Sequence, residues 1–122
     1  MNSFNFKSQP CTSREQSEKL LSLGLKKETA DMHYQYYGGL LKIGPIEGIN
    51  DIPAWSLGIL IEMMPKTIGR YFQYTSNDSC GYMDEDALNM NGGFDEGNIY
   101  DSIISCIEWL IKEGNFPKEY LV

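Results

Sequence analysis

The chain has 122 residues, in which 17 Asp and Glu outnumber 10 Lys and Arg to give a formal net charge of −7. Nucleic-acid binding depends on basic side chains that neutralise phosphates, so this balance argues against a direct nucleic-acid-binding surface. With 42% apolar and 22% charged residues, the composition is typical of one soluble globular domain. We predict that domain over residues 1–122, with residues 1–10 as a loose N-terminal arm.

The spacing of the cysteines and the length of the apolar runs indicate the cellular compartment of the protein. Cys11, Cys80 and Cys106 are far apart and form no C-x-x-C pair, which argues against a disulfide framework and against a zinc site. The arm at 1–10 holds no apolar segment of the secretory type. The longest apolar run, near 57–64, is too short to span a bilayer. We therefore expect a cytoplasmic protein that does not bind membranes.

The first part of the chain predicts one helix and one strand. Thr12 and Glu15 have the spacing of a capping box, and the helix that they open is predicted to run to about Leu23. The aromatic run 33–37 predicts a strand. Residues 38–51 contain four glycines and a proline, which predicts a loop.

The middle of the chain predicts a second helix followed by two strands. The helix is expected at about 54–64, because Pro53 suits a first helical turn and Pro65 ends the helical run. Alternating side chains predict a strand over 68–75. After a turn, residues 80–84 are expected to return as an antiparallel strand.

The clearest helix covers Asn98–Gly114, with Asn98 as its N-cap. Its apolar side chains recur at helical spacing and predict a buried stripe: Tyr100, Ile103, Ile104, Ile107, Leu110 and Ile111. The acidic, Gly-rich segment 85–98 is predicted to be a mobile connection into this helix. Together the elements predict an α+β fold, in which a small antiparallel sheet of about three strands packs with about three helices.

No group of residues has the spacing of a known catalytic or ligand-binding motif. His33 is the single histidine, no sequence motif pairs it with a cysteine, and it is predicted to be a partly exposed sheet residue. Asp84, Asp86 and Asp95 loosely follow a calcium loop, but Asn89 occupies the position that requires Gly. We therefore predict no catalytic residue, no cofactor and no metal site.

Tyrosines are concentrated in the predicted strands. Tyrosine is favoured at protein interfaces, but it also packs well across neighbouring strands. Both interpretations stay open for this chain. The candidate protein-binding face consists of Tyr34, Tyr36, Tyr71, Tyr74 and Tyr82.

Several segments occur in a recognisable order: CTSREQSEKLLSLGL at 11–25, TADM at 29–32, IPAWSL at 52–57 and a closing helix around 100–110. In this order they resemble a group of small uncharacterised proteins from bacteriophages and integrated elements of gut bacteria. The resemblance covers most of the chain except 85–98. It implies a phage or prophage accessory protein, and it carries over no activity and no site residue.

Three functional hypotheses follow from these observations. The leading one is a non-enzymatic accessory protein that binds another protein, with a homodimer as one form of that binding. The second is an acidic inhibitor that mimics DNA and occupies a basic nucleic-acid-binding protein. The third is a small enzyme or ligand-binding domain, with its pocket between the helix at 54–64 and the sheet.

Overall fold

The computed structural model describes residues 8–85 and 92–122. Within these ranges there are three α-helices: α1 (Arg14–Ser22), α2 (Leu57–Met63) and α3 (Ile99–Lys112). The strands are short: β1 (Met32–Tyr34), β2 (Leu41–Ile43), β3 (Ile52–Ala54), β4 (Thr67–Ile68), β5 (Tyr71–Thr75), β6 (Ser79–Met83) and β7 (Phe94–Asp95). Residues 1–7 of the predicted arm and residues 86–91 of the predicted mobile connection lie outside the described residues. The described end of that connection contains β7, which pairs with β6, so the segment is not a loop throughout.

The described strands form two antiparallel sheets, one with the order β2-β1-β3 and one with the order β4-β5-β6-β7. The α+β prediction is thereby confirmed. The expected single sheet of about three strands is replaced by two sheets for two reasons. The loop predicted over 38–51 contains β2, and residues predicted to open the second helix form β3 instead.

Pro53 illustrates why the second helix starts later than predicted. It lies in β3, opposite His33 of β1. Alternation along the antiparallel ladder directs the backbone of Pro53 away from β1, so its missing N–H removes no sheet hydrogen bond. The helix α2 begins only at Leu57, where the Ser56 hydroxyl accepts a hydrogen bond from the Ile59 N–H at 3.3 Å.

The start of α1 also differs from the prediction by one residue. Ser13, not Thr12, is the N-cap, and it forms a reciprocal capping box with Gln16. Thr12 is fully buried, and its hydroxyl oxygen accepts a hydrogen bond from the Trp55 N–H at 3.0 Å. The Thr12 side chain, which local spacing assigns to the helix cap, is therefore used in a tertiary hydrogen bond with Trp55 instead.

The predicted helix Asn98–Gly114 is confirmed as α3. The Asn98 side chain accepts hydrogen bonds from the N–H groups of Tyr100 and Asp101, at 2.9 and 3.2 Å. Gly114 takes the left-handed conformation past the end of the helix, with φ +75°. The helix packs against β6, β7, α1 and α2, and its apolar stripe forms the centre of the core.

The predicted strand at 68–75 is divided by a turn at Gly69 (φ +60°) into β4 and β5. The predicted return strand is β6, which pairs antiparallel with β5. Among the described residues, no helix combines the length and the apolar character that a membrane span requires.

Candidate protein-binding surface

The five tyrosines predicted as one face lie on two different sheets. Tyr34 is in β1, and Tyr36 follows that strand, whereas Tyr71, Tyr74 and Tyr82 belong to β5 and β6. Tyr82 is fully buried, and its hydroxyl donates to the Pro65 carbonyl at 2.6 Å. The five side chains therefore do not share a face. The prediction placed them together because it assumed a single sheet, whereas the structure has two.

Tyr34, Tyr71 and Tyr74 are half-buried within the fold. The Tyr34 hydroxyl donates to the Thr12 carbonyl at 2.9 Å, and the Arg14 guanidinium lies 5.3 Å from the Tyr34 ring centroid. Burial, with a contribution from the neighbouring Cys11 thiol, raises the pKa of Tyr34 to about 12. These contacts favour a structural role for Tyr34. Of the predicted set, Tyr36 is the one strongly exposed side chain, at 60%.

Exposed apolar side chains are concentrated near Tyr36. The described residues contain eight exposed large hydrophobic side chains, and five of them lie between residues 36 and 49. We call these five the hairpin surface: Tyr36, Tyr37, Leu40, Ile43 and Ile49. Sequence reasoning missed four of them. The signal that could have identified them is the presence of large apolar residues in a Gly-rich segment, because a solvated loop is normally polar.

Four of these five residues lie in the hairpin that joins β1 to β2, and Ile49 lies in the loop 44–51 that follows it. The Gln35 N–H donates to the Leu40 carbonyl at 2.8 Å and closes the turn. Gly38 and Gly39 have φ of +83° and +63°, which other residues rarely adopt. Arg14 of α1 donates to the Gly39 carbonyl at 3.3 Å and so fixes the turn to the body.

Asp51 holds the loop 44–51 against the hairpin. Its carboxylate accepts hydrogen bonds from the N–H groups of Tyr36, Gly48 and Glu47, at 2.9, 2.8 and 3.3 Å. These donors stabilise the ionised form and lower the pKa of Asp51, led by Tyr36 and Gly48. Asp51 thus links the two segments that carry the hairpin surface.

A cavity of about 310 Å³ opens between these two segments. Its lining residues are Tyr36, Tyr37, Gly48, Ile49, Asn50 and Asp51. The rings of Tyr36 and Tyr37 meet edge to face, with centroids 5.0 Å apart. A concave site between exposed apolar side chains suits an anchor side chain of a partner protein.

His33 lies beneath this region and is buried, with 1% exposure, so the prediction of a partly exposed sheet residue is wrong. Its Nδ1 donates to the Gly44 carbonyl at 2.9 Å, because a carbonyl oxygen only accepts. Its Nε2 has no hydrogen-bond partner and lies 3.3 Å from Glu47 Oε1 and 3.9 Å from Asp51 Oδ2. The burial arises because loop 44–51 covers a sheet face that a solvated loop would leave open.

The three cysteines are free and buried. The hydrogen bond with Cys80, together with burial, raises the pKa of Cys106, so this thiol stays protonated at neutral pH. No cysteine of the described residues is hydrogen-bonded to His33. Across residues 8–85 and 92–122, no group of three or more His, Cys, Asp or Glu side chains is arranged to hold a metal ion.

Acid titration provides a test of the role of Asp51. Since its folded-state pKa is lowered, its stabilising contribution is complete above the ordinary Asp pKa of about 3.9 and is lost as the pH falls through the lower folded value. We expect the amide chemical shifts of Tyr36 and Gly48 to titrate together, with a midpoint below about 3.9. Two-dimensional NMR spectra recorded over acidic pH values measure this midpoint.

The matched control is Asp51→Asn, which keeps an accepting oxygen but removes the titration. In this variant the two amide shifts are expected to be independent of pH over the same range. A wild-type midpoint at or above the ordinary Asp value would contradict the assignment of Asp51 as the acceptor that joins the loop to the hairpin.

Comparison with known proteins adds no homologue from which a site could be transferred. No protein-family model, no curated protein and no solved structure matches the chain.

Proposed function

We propose that this chain acts by binding another protein, and that the hairpin surface is the binding site. The observation that carries the proposal is the concentration of exposed apolar side chains between residues 36 and 49. Exposed apolar patches on a soluble domain are typical of interaction sites, and these five side chains lie in one short segment of the chain. From the sequence resemblance alone, we further propose that the chain is a phage or prophage accessory protein. Its three free thiols suit a reducing cytoplasm.

The energetics of the hairpin surface support this function. Tyr37, Ile43 and Ile49 are exposed by 86%, 90% and 91%, so almost all of their area is available to a partner. Burying one large apolar side chain contributes about 1.5–3 kcal/mol. The hairpin is already fixed by Arg14 and Asp51, so little additional ordering is required when a partner binds.

The test compares two charge substitutions at equally exposed positions. Ile43→Asp places a carboxylate in the hairpin surface, and Val122→Asp does the same at the C-terminus, where the side chain is 91% exposed. Each variant and the wild type are used to capture proteins from host lysate, and the captured protein is then purified and titrated by calorimetry. Ile43→Asp is expected to weaken binding by about thirtyfold or more, the effect of losing about 2 kcal/mol at an interface hot spot.

Val122→Asp is expected to bind like the wild type. The proposal fails if Ile43→Asp binds the purified partner with wild-type affinity, or if both variants lose binding equally. It also fails if no captured protein binds the purified wild-type chain in the titration. Sedimentation equilibrium on the wild-type chain alone shows whether a second copy is the partner.

A further inference from the structure

The outer edge of β2 carries unpaired backbone groups. In the sheet order β2-β1-β3, β2 pairs with β1 on one side only, with His33 opposite Lys42. Two hydrogen bonds flank this pair: Gln35 N–H donates to Leu40 O at 2.8 Å, and Gly44 N–H donates to Asp31 O at 2.7 Å. They establish which residues of β2 direct their backbone groups inward, towards β1. Lys42 belongs to the inward set, because hydrogen-bonded and non-hydrogen-bonded pairs alternate along an antiparallel ladder.

Leu41 and Ile43 therefore direct their N–H and C=O groups away from β1. Within the described part of the chain, these groups have no hydrogen-bond partner. Such an edge is a ready template for another strand, and proteins commonly cover or shorten it. Here the edge lies next to Tyr37 and Leu40 of the hairpin surface, so strand addition and apolar contact involve the same element.

We infer that an extended segment of a different protein adds to β2 as a new edge strand, pairing with the backbone of Leu41 and Ile43. This inference rests on the proposed function and specifies the chemistry of the partner. Main-chain hydrogen bonds supply part of the affinity in this binding mode, and alternate side chains supply specificity.

The side chains of β2 define the sequence that the partner strand presents. Lys42 is exposed on the same face as His33, and it forms no ion pair with the described residues. An acidic residue directly opposite Lys42 is favoured, since opposite charges across a strand pair attract. Leu41 and Ile43 point to the other face, and Ile43 is 90% exposed, so the residues that flank the acidic one are apolar. The partner segment is therefore apolar–acidic–apolar.

A second copy of this chain fits the edge poorly. Symmetric antiparallel pairing centred on Lys42 sets two Lys42 side chains opposite each other, and like charges repel there. Pairing centred on Ile43 sets Leu41 opposite Pro45, which has no N–H to donate. Pairing centred on Leu41 sets Ile43 opposite Gly39, where the chain has already turned, with φ +63°. Each symmetric register that uses both outward residues thus loses a bond or gains a repulsion.

The probe is a library of random nine-residue peptides displayed on phage and selected on the immobilised full chain. We expect the selected peptides to be enriched in the apolar–acidic–apolar pattern. Selection on Lys42→Glu is expected to shift the central residue to Lys or Arg. A selection that yields no binder, or one whose central residue is the same for both chains, overturns the inference.

Hydrogen exchange with a synthesised selected peptide tests the geometry directly. The amides of Leu41 and Ile43 are expected to exchange about tenfold or more slowly in the complex, because they become hydrogen-bonded. The Lys42 amide already bonds to β1, so its exchange serves as the internal reference. If the peptide binds while the Leu41 and Ile43 amides stay unprotected, strand addition is excluded.

Proline substitution separates this inference from the proposed function. Ile43→Pro removes an outward N–H that the fold does not use and also removes the isoleucine side chain, whereas Ile43→Ala shortens the side chain and keeps the N–H. With the purified partner protein, we expect Ile43→Pro to bind about tenfold more weakly than Ile43→Ala, with the thermal stability of both variants close to wild type. If Ile43→Pro binds no more weakly than Ile43→Ala while Ile43→Asp loses binding, the surface binds by side chains alone and only the strand addition fails. If Ile43→Asp and Ile43→Pro both bind with wild-type affinity, the proposed function fails as well.

Discussion

Replacing Trp55 by Ala is expected to lower the free energy of unfolding by about 3–5 kcal/mol, a large share of the stability of a domain of this size. Trp55 is fully buried, and its indole N–H donates to the Thr29 hydroxyl at 2.8 Å. The substitution leaves a cavity and removes this hydrogen bond. Urea denaturation followed by circular dichroism gives the free energy, and the melting temperature should fall by about 10–20 °C.

Trp55→Phe is the matched control for this experiment. It keeps an aromatic ring in the core and removes the indole N–H, so we expect a smaller loss of about 1–2 kcal/mol. The backbone bonds of residue 55 with Thr12 are available to both variants. A loss below about 1 kcal/mol for Trp55→Ala would contradict the view that this side chain anchors the core between β3 and α2.

Replacing Gly81 by Ala is expected to cost about 2–3 kcal/mol, the effect of overpacking against atoms that cannot move cheaply. A Cβ at Gly81 would overlap the Gly92 carbonyl oxygen and would lie 2.7 Å from the Gly93 Cα. The ring of Tyr74, opposite Gly81 in the β5–β6 ladder, would lie 3.0 Å away. Because two of these neighbours are backbone atoms, the segment that leads into β7 has to shift. Urea denaturation gives the free energy of unfolding of this variant.

Gly58→Ala is the control, since it makes the same chemical change in open space. Gly58 is exposed in α2, and the nearest atom to an added Cβ is the Ser56 hydroxyl oxygen at 4.0 Å. Ala is the better helix former, so this variant is expected to be more stable than the wild type by about 0.5–1 kcal/mol. Equal stability of the two variants would mean that the Gly92–Gly93 backbone moves away from β6 at no cost.

Local sequence was sufficient to predict α3. Its apolar residues recur at helical spacing over four turns, Asn98 supplies the cap, and Gly114 ends it, so no distant residue is needed to specify the helix. The β5–β6 hairpin is equally local, because alternation and a turn lie within one continuous segment. Together these elements specified the α+β class.

The first sheet was not predictable in the same way. Residues 41–43 and 52–54 are three-residue strands that become strands only by pairing with β1, and local signals at these positions favour a loop and a helix start. The one-residue error at the α1 cap has a similar origin, because the Thr12 hydroxyl accepts a hydrogen bond from the N–H of Trp55, which is distant in sequence.

The sequence by itself determined the fold class, the central helix α3 and the net charge of −7. Tertiary structure alone decided which aromatic residues are buried and which apolar residues are exposed. Tyr82 enters the core because β6 packs on α3, whereas the side chains of Ile43 and Ile49 stay exposed because no described part of the chain packs over them. Exposure depends on what packs against a residue from elsewhere in the chain, and periodicity within one segment does not contain that information.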